Sequence, residues 1–75
     1  MLDPERIRMT RLQLRLSQRQ LGEMIGQDQA YISRLENGTI TDITVGTLEQ
    51  IADALQVRVE YLLRRDRETQ EKERG

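Results

Sequence analysis

The stretch Leu16–Gly38, LSQRQLGEMIGQDQAYISRLENG, decides the fold. Ser17 is followed three residues later by Gln20, the pattern of a capping box that satisfies free amides at a helix start. Leu16 just outside this cap and Leu21 just inside it form a hydrophobic staple. Leu21, Met24 and Ile25 recur at helical spacing and are expected to face a core. Gly26 stops that helix, because glycine enters the left-handed region without a Cβ penalty. Asp28 caps the next helix almost at once, Ile32 and Leu35 are its inward pair, and Asn37-Gly38 ends it. Two short helices joined by a tight turn around Gly26 and Gln27 make a helix-turn-helix spacing. Gly22 sits where the earlier helix must approach the later one, and its missing side chain permits close contact there.

Working outward, Asp3-Pro4-Glu5 reads as another helix start: a capping carboxylate, a proline suited to the first turn, and an acid at the positive end. This first helix should run to about Leu14, burying Ile7, Arg11 and Leu14 on one stripe with Leu12 on its flank. Residues 39–43, TITDI, are too short and mixed for a sheet. Thr44 caps a fourth helix in which Val45, Leu48, Ile51, Ala52 and Leu55 recur at helical spacing. Val57 should plug the core from the following turn, and Val59, Leu62 and Leu63 lie along a short fifth helix. The expected architecture is all-α, five helices in one domain over 1–65. Residues 66–75 form a charged C-terminal tail with nothing apolar to dock.

Composition narrows the function. In 75 residues there is no cysteine and no histidine, so neither a disulfide nor a zinc-stapled core is expected. Phenylalanine and tryptophan are also absent, which leaves aliphatic residues with Tyr31 and Tyr61 to do the packing. No cofactor and no metal are implied. The carboxylates are spread over exposed faces beside arginines, and nothing sets a nucleophile against a base, so no enzyme is expected. No stretch is long enough to span a membrane and no signal segment opens the chain, which reads as cytoplasmic.

The net charge of −1 looks unfavourable for binding nucleic acid, but its distribution is uneven. Residues 1–38 carry a net of +1, residues 39–63 a net of −3, and residues 64–75 a net of +1. The acids can therefore face away from phosphates while the N-terminal half meets them. Few phosphates can be neutralised, so non-specific affinity should be low.

With Ile32 and Leu35 pinned to the core, the opposite side of the third helix carries Gln29, Ala30, Ser33 and Arg34. Glutamine can pair in bidentate fashion with adenine, arginine with guanine, and alanine offers a methyl to thymine. A helix fits the major groove of B-form DNA with its N-terminal residues toward the base edges. Gln18, at the first turn of the second helix, and Asn37, at the far end of the third, are candidate phosphate contacts that position rather than read. The competing reading is that glutamine and arginine here are ordinary solvent residues.

The run RLQLRLSQRQLGEMIGQDQAYISRLENG, together with TLEQIADALQV, resembles the phage-repressor and Cro family of helix-turn-helix domains, over roughly residues 5–63. The matching pieces are Leu16-Ser17-Gln18, Leu21, Gly26, Ile32-Ser33, Glu36-Asn37-Gly38 and Leu48 through Leu55. The resemblance implies a five-helix, repressor-like DNA-binding domain whose third helix is the recognition helix. It implies phosphate contacts at Gln18 and Asn37, base contacts at Gln29, Ala30 and Arg34, a variable role for Ser33, and a partly buried ion pair between Arg11 and Glu36. Departures stand at Gly22, where alanine is usual and the helix should loosen slightly. Arg15 stands where glycine is common, which should strain the turn. Ala30 is a short base-reading side chain.

These readings together point to a transcriptional regulator, usually a repressor, that binds double-stranded DNA. Alternatives are the antitoxin of a toxin–antitoxin pair, the control protein of a restriction–modification locus, and a domain that binds only protein. A domain this small makes few phosphate contacts, so a homodimer on a palindromic operator is expected. Val59, Tyr61, Leu62 and Leu63 are more apolar surface than one short helix can bury and form the expected dimer interface.

Overall fold

A computed structural model describes residues 1–64; the expected boundary at 65/66 and the charged tail lie outside the described residues. Four α-helices follow in order: α1 (Pro4–Gln13), α2 (Gln18–Met24), α3 (Gln29–Glu36) and α4 (Val45–Leu55). A 3-10 turn, Val59–Leu62, comes last among the described residues. Each α-helix starts on a side chain that accepts from a free amide. Asp3 takes Arg6 N at 3.4 Å, and Asp28 takes Tyr31 N at 2.9 Å. Thr44 takes Thr47 N at 3.1 Å. The Ser17 box closes in both directions, Gln20 N donating to Ser17 Oγ at 2.9 Å and Ser17 N to Gln20 Oε1 at 2.8 Å. Such caps are worth about 1 kcal/mol each, which matters in helices too short to persist alone.

The core is aliphatic. Ile7, Leu21, Ile32, Leu35, Ile51, Leu55 and Leu62 are wholly enclosed, one or two from each element. Full burial of such side chains stabilises by roughly 1.5–3 kcal/mol each, the main force holding the helices together. Leu14, Leu16, Tyr31, Leu48, Val57 and Val59 pack around this centre while half-buried.

Two expected core residues lie outside. Met24 is 54% exposed, because Leu21 and Ile25, four apart, already fill α2's inward face and Met24 turns toward the flank of α4 beside Gln50, Asp53 and Ala54. Val45 is 71% exposed: it is the first residue of α4, and the buried stripe begins only farther along that helix.

The fifth α-helix is replaced by the single 3-10 turn. Arg58 before it and Leu63 after it are both extended. Leu63 instead forms an isolated antiparallel bridge with Leu2. Asp3 N donates to Leu62 O at 2.8 Å, and Arg64 N donates to Met1 O. The bridge draws Leu2 into the core and ties the start of the chain to residues 62–64. Arg6 covers one face of Tyr61, its guanidinium 4.7 Å from the ring centre, and donates to Tyr61 O at 3.1 Å. Leu62, expected at a dimer surface, is 0% exposed. The 3-10 turn points it into the monomer's own core, so it has no surface to offer a partner.

Candidate nucleic-acid interface

The turn between α2 and α3 is built on close backbone approach. Gly26 adopts φ +74°, and Gln27 N donates back to Gly22 O at 2.8 Å. A Cβ on Gly22 would lie 2.7 Å from Gln27 O and 3.0 Å from Asp28 O, both backbone atoms. Glycine is therefore what lets the turn press against α2. Its cost in helix propensity is set against that fit, so the loosened helix suggested by the sequence is only half of its effect.

This packing fixes the face that α3 shows to solvent. Ile32 and Leu35 are sealed in the core. Gln29, Ala30 and Arg34 are exposed on the other side, and Ser33 is half-buried at its margin. Among the described residues no carboxylate pairs with the Arg34 guanidinium. Its donors stay available to an external acceptor. Asn37 is the C-cap of α3, and its Oδ1 accepts from Thr39 N at 2.9 Å. The side-chain oxygen is thus engaged by the chain's own turn, leaving the amide NH2 as the end that can donate outward.

Behind that face lies a polar chain. Arg11 clamps Glu36 across α1 and α3, Nε to Oε2 at 2.6 Å and Nη2 to Oε1 at 3.0 Å, while Nη1 donates to Leu16 O at 2.8 Å. Both side chains are nearly enclosed, at 9% and 4% exposure. Gln18 Nε2 donates to Glu36 Oε1 at 3.2 Å, and Gln29 Nε2 donates to Gln18 Oε1 at 3.4 Å. The linear sequence offers no signal for the links from Gln18 to Glu36 and Gln29, since α2 and α3 must pack against each other before they form.

The surrounding field is nearly balanced. Arg19 pairs with Glu23 at 3.4 Å along α2, and Glu23, Asp28, Arg19, Gln27 and Gln29 line one shallow depression beside the turn. With Glu36 neutralised by Arg11, little net positive charge remains near α3 to attract phosphates at large. Among the described residues there is no cluster of His, Cys, Asp or Glu able to hold a metal ion, and no helix long and apolar enough to cross a membrane.

A bundle whose second and third helices meet in a tight glycine turn, the third presenting a polar face, is a helix-turn-helix domain. The family model for helix-turn-helix matches residues 7–62, and the chain belongs to that family, the phage-repressor and Cro type. Its fold is similar to that of the P22 c2 repressor, solved with a synthetic operator: 36% identity over 85% of this chain and 96% of that one, TM-score 0.77. It is also similar to SinR, the master regulator for biofilm formation, solved with DNA: 30% identity over 81% of this chain and 100% of that one, TM-score 0.76. The restriction–modification controller C.AhdI of Aeromonas hydrophila matches at 27% identity over 80% of this chain and 86% of that one, TM-score 0.72. No curated protein matches the chain by sequence.

Proposed function

We propose that this protein is a DNA-binding transcriptional regulator that lays α3 in the major groove and acts as a repressor in the cytoplasm. The observation that supports it is the exposed face of α3: Gln29, Ala30 and Arg34 stand together on a helix whose opposite side is sealed in the core. In this reading Gln29 pairs with adenine, Arg34 with guanine, Ala30 meets a thymine methyl, and Ser33 reaches the groove wall or a base edge from the margin. Asn37, and Gln18 through the one N–H that Glu36 does not hold, donate to phosphates on either side and set the register. The P22 c2 repressor and SinR were each solved on DNA, and both cover nearly all of their own length with this fold.

Two copies bind a palindromic operator, since one α3 reads only a few base pairs. The surface that joins them includes Tyr61, with Val59 and Leu63 at its edge, and excludes Leu62. Selection from a randomised duplex library tests the function: a recurrent, twofold-symmetric motif is expected, and recovery of no motif above background overturns it. The similarity to C.AhdI favours a second reading, a restriction–modification control protein. A restriction enzyme encoded beside this gene would select it.

A further inference from the structure

The polar chain from Arg11 to Gln29 has a direction, and that direction reaches the DNA-facing surface. Resting on the reading of Gln29 as a base contact, we propose that Glu36 is a positioning residue. Its buried carboxylate sets which end of the Gln29 amide is free to meet a base, and so makes Gln29 select adenine over guanine.

The argument uses only donors and acceptors. Arginine donates and never accepts; an ionised carboxylate accepts and never donates. Arg11 holds both oxygens of Glu36, so whatever touches Oε1 from the other side must be a donor. Gln18 meets it with Nε2, at 3.2 Å. A planar amide that points its nitrogen inward points its oxygen outward, and Gln18 Oε1 then requires a donor from Gln29. Gln29 supplies Nε2, at 3.4 Å. What is left on Gln29 is one N–H and the carbonyl oxygen. That pair matches adenine, which offers an amino donor and the N7 acceptor in the major groove. Were the chain reversed, Gln29 would give its oxygen to Gln18 and present both N–H groups. That arrangement matches guanine, whose major-groove edge has two acceptors, N7 and O6.

Glu36→Gln reverses the chain with almost no change of shape. The 2.6 Å contact with Arg11 Nε keeps an oxygen at the Oε2 position; the new NH2 takes the Oε1 position, where it gives up the bond from Arg11 Nη2 and faces Gln18. Gln18 must then turn its oxygen inward and its nitrogen toward Gln29.

The probes are the duplex selected from a randomised library and its variant with A·T changed to G·C at the position read by Gln29. Wild type should prefer the A·T duplex, and Glu36→Gln should lower the A·T to G·C affinity ratio by about tenfold, the size of one good bidentate pair. Gln29→Ala should remove the preference, and adding Glu36→Gln to it should change nothing further. Gln18→Leu, which cannot pass polarity on, should also flatten the ratio. It carries the test alone if thermal melting shows the Glu36 variant unfolded. A flattened ratio in Gln29→Ala with an unchanged ratio in Glu36→Gln, or in Gln18→Leu where that variant is used, overturns the role of Glu36 and leaves Gln29 as a base contact. An unchanged ratio in Gln29→Ala overturns the base contact itself, and the proposal with it.

Discussion

Single residues divide here by what they are free to do. Arg34 and Gln29 are exposed, Arg34 with no carboxylate partner among the described residues and Gln29 with only its nitrogen engaged, while Gln18 has both ends of its amide held by the chain and Asn37 has its oxygen held. Alanine at Gln29 or Arg34 should cost about 1–3 kcal/mol on the selected duplex and much less on a scrambled one. Alanine at Asn37 should weaken both by a similar factor. Competition binding against both duplexes checks this, and an unchanged specific-to-scrambled ratio for both Gln29→Ala and Arg34→Ala contradicts the placement of α3. Backbone positions separate in a different way. Gly22→Ala places a Cβ 2.7 Å from a backbone oxygen, so the α2–α3 turn must move; a loss of roughly 1–3 kcal/mol is expected by chemical denaturation. Arg15 sits at φ 60° in the α1–α2 connection, where a side chain is strained, and Arg15→Gly should raise stability by roughly 0.5–1 kcal/mol. The reverse order of these two effects would mean that propensity, and not local geometry, governs both sites.

Elements show how much the sequence made legible. The starts of all four α-helices are readable because a cap is local: Asp3, Ser17, Asp28 and Thr44 each act within three residues. Exposure was less readable, because periodicity gives a face and not the reach of the neighbouring element. Met24 and Val45 fit a helical stripe yet lie at a helix end, where the neighbouring elements leave more than half of each residue in solvent. The 3-10 turn was not readable as such: its shape depends on Leu2, at the far end of the chain, claiming Leu63 as a bridge partner. The α3 face followed from phasing alone, whereas the chain Arg11–Glu36–Gln18–Gln29 exists only after α1, α2 and α3 assemble. The joint between α1 and α3 is tested by Glu36→Ala. The pair is nearly enclosed, and removing one partner leaves the Arg11 charge buried with only Leu16 O as an acceptor. A loss of about 3–5 kcal/mol is expected for such a break. A domain of this size has little more than that to lose, so the urea midpoint should fall steeply or the transition vanish. A midpoint equal to wild type would show that the pair contributes nothing to the fold.

At the scale of the whole molecule, the question is whether one copy suffices. The near-neutral surroundings of α3 and the short Ala30 side chain limit what one domain can gain from phosphates and bases. Two copies on half-sites about one helical turn apart double both terms. The apolar surplus that would join them is smaller than the sequence suggests, since Leu62 lies inside and Val59 and Leu63 are half-buried. Tyr61 remains, 45% exposed with Arg6 over one face of its ring. An interface built on so few residues should be weak in solution and complete only on DNA. Sedimentation should therefore show a monomer for the free protein at low concentration and two chains on the selected palindromic duplex. A single chain on that duplex at saturating protein contradicts the dimer. Leu62→Glu cannot test the interface, because it buries a charge in the core and unfolds the domain. Tyr61→Glu can: the side chain is at the surface and the new carboxylate has Arg6 beside it to pair with, so the fold should persist. That variant should bind a single half-site as well as wild type does but lose cooperativity on the full palindrome. An unchanged binding curve moves the interface away from Tyr61 to the 39–44 loop, where Ile40 and Ile43 are the half-buried apolar residues.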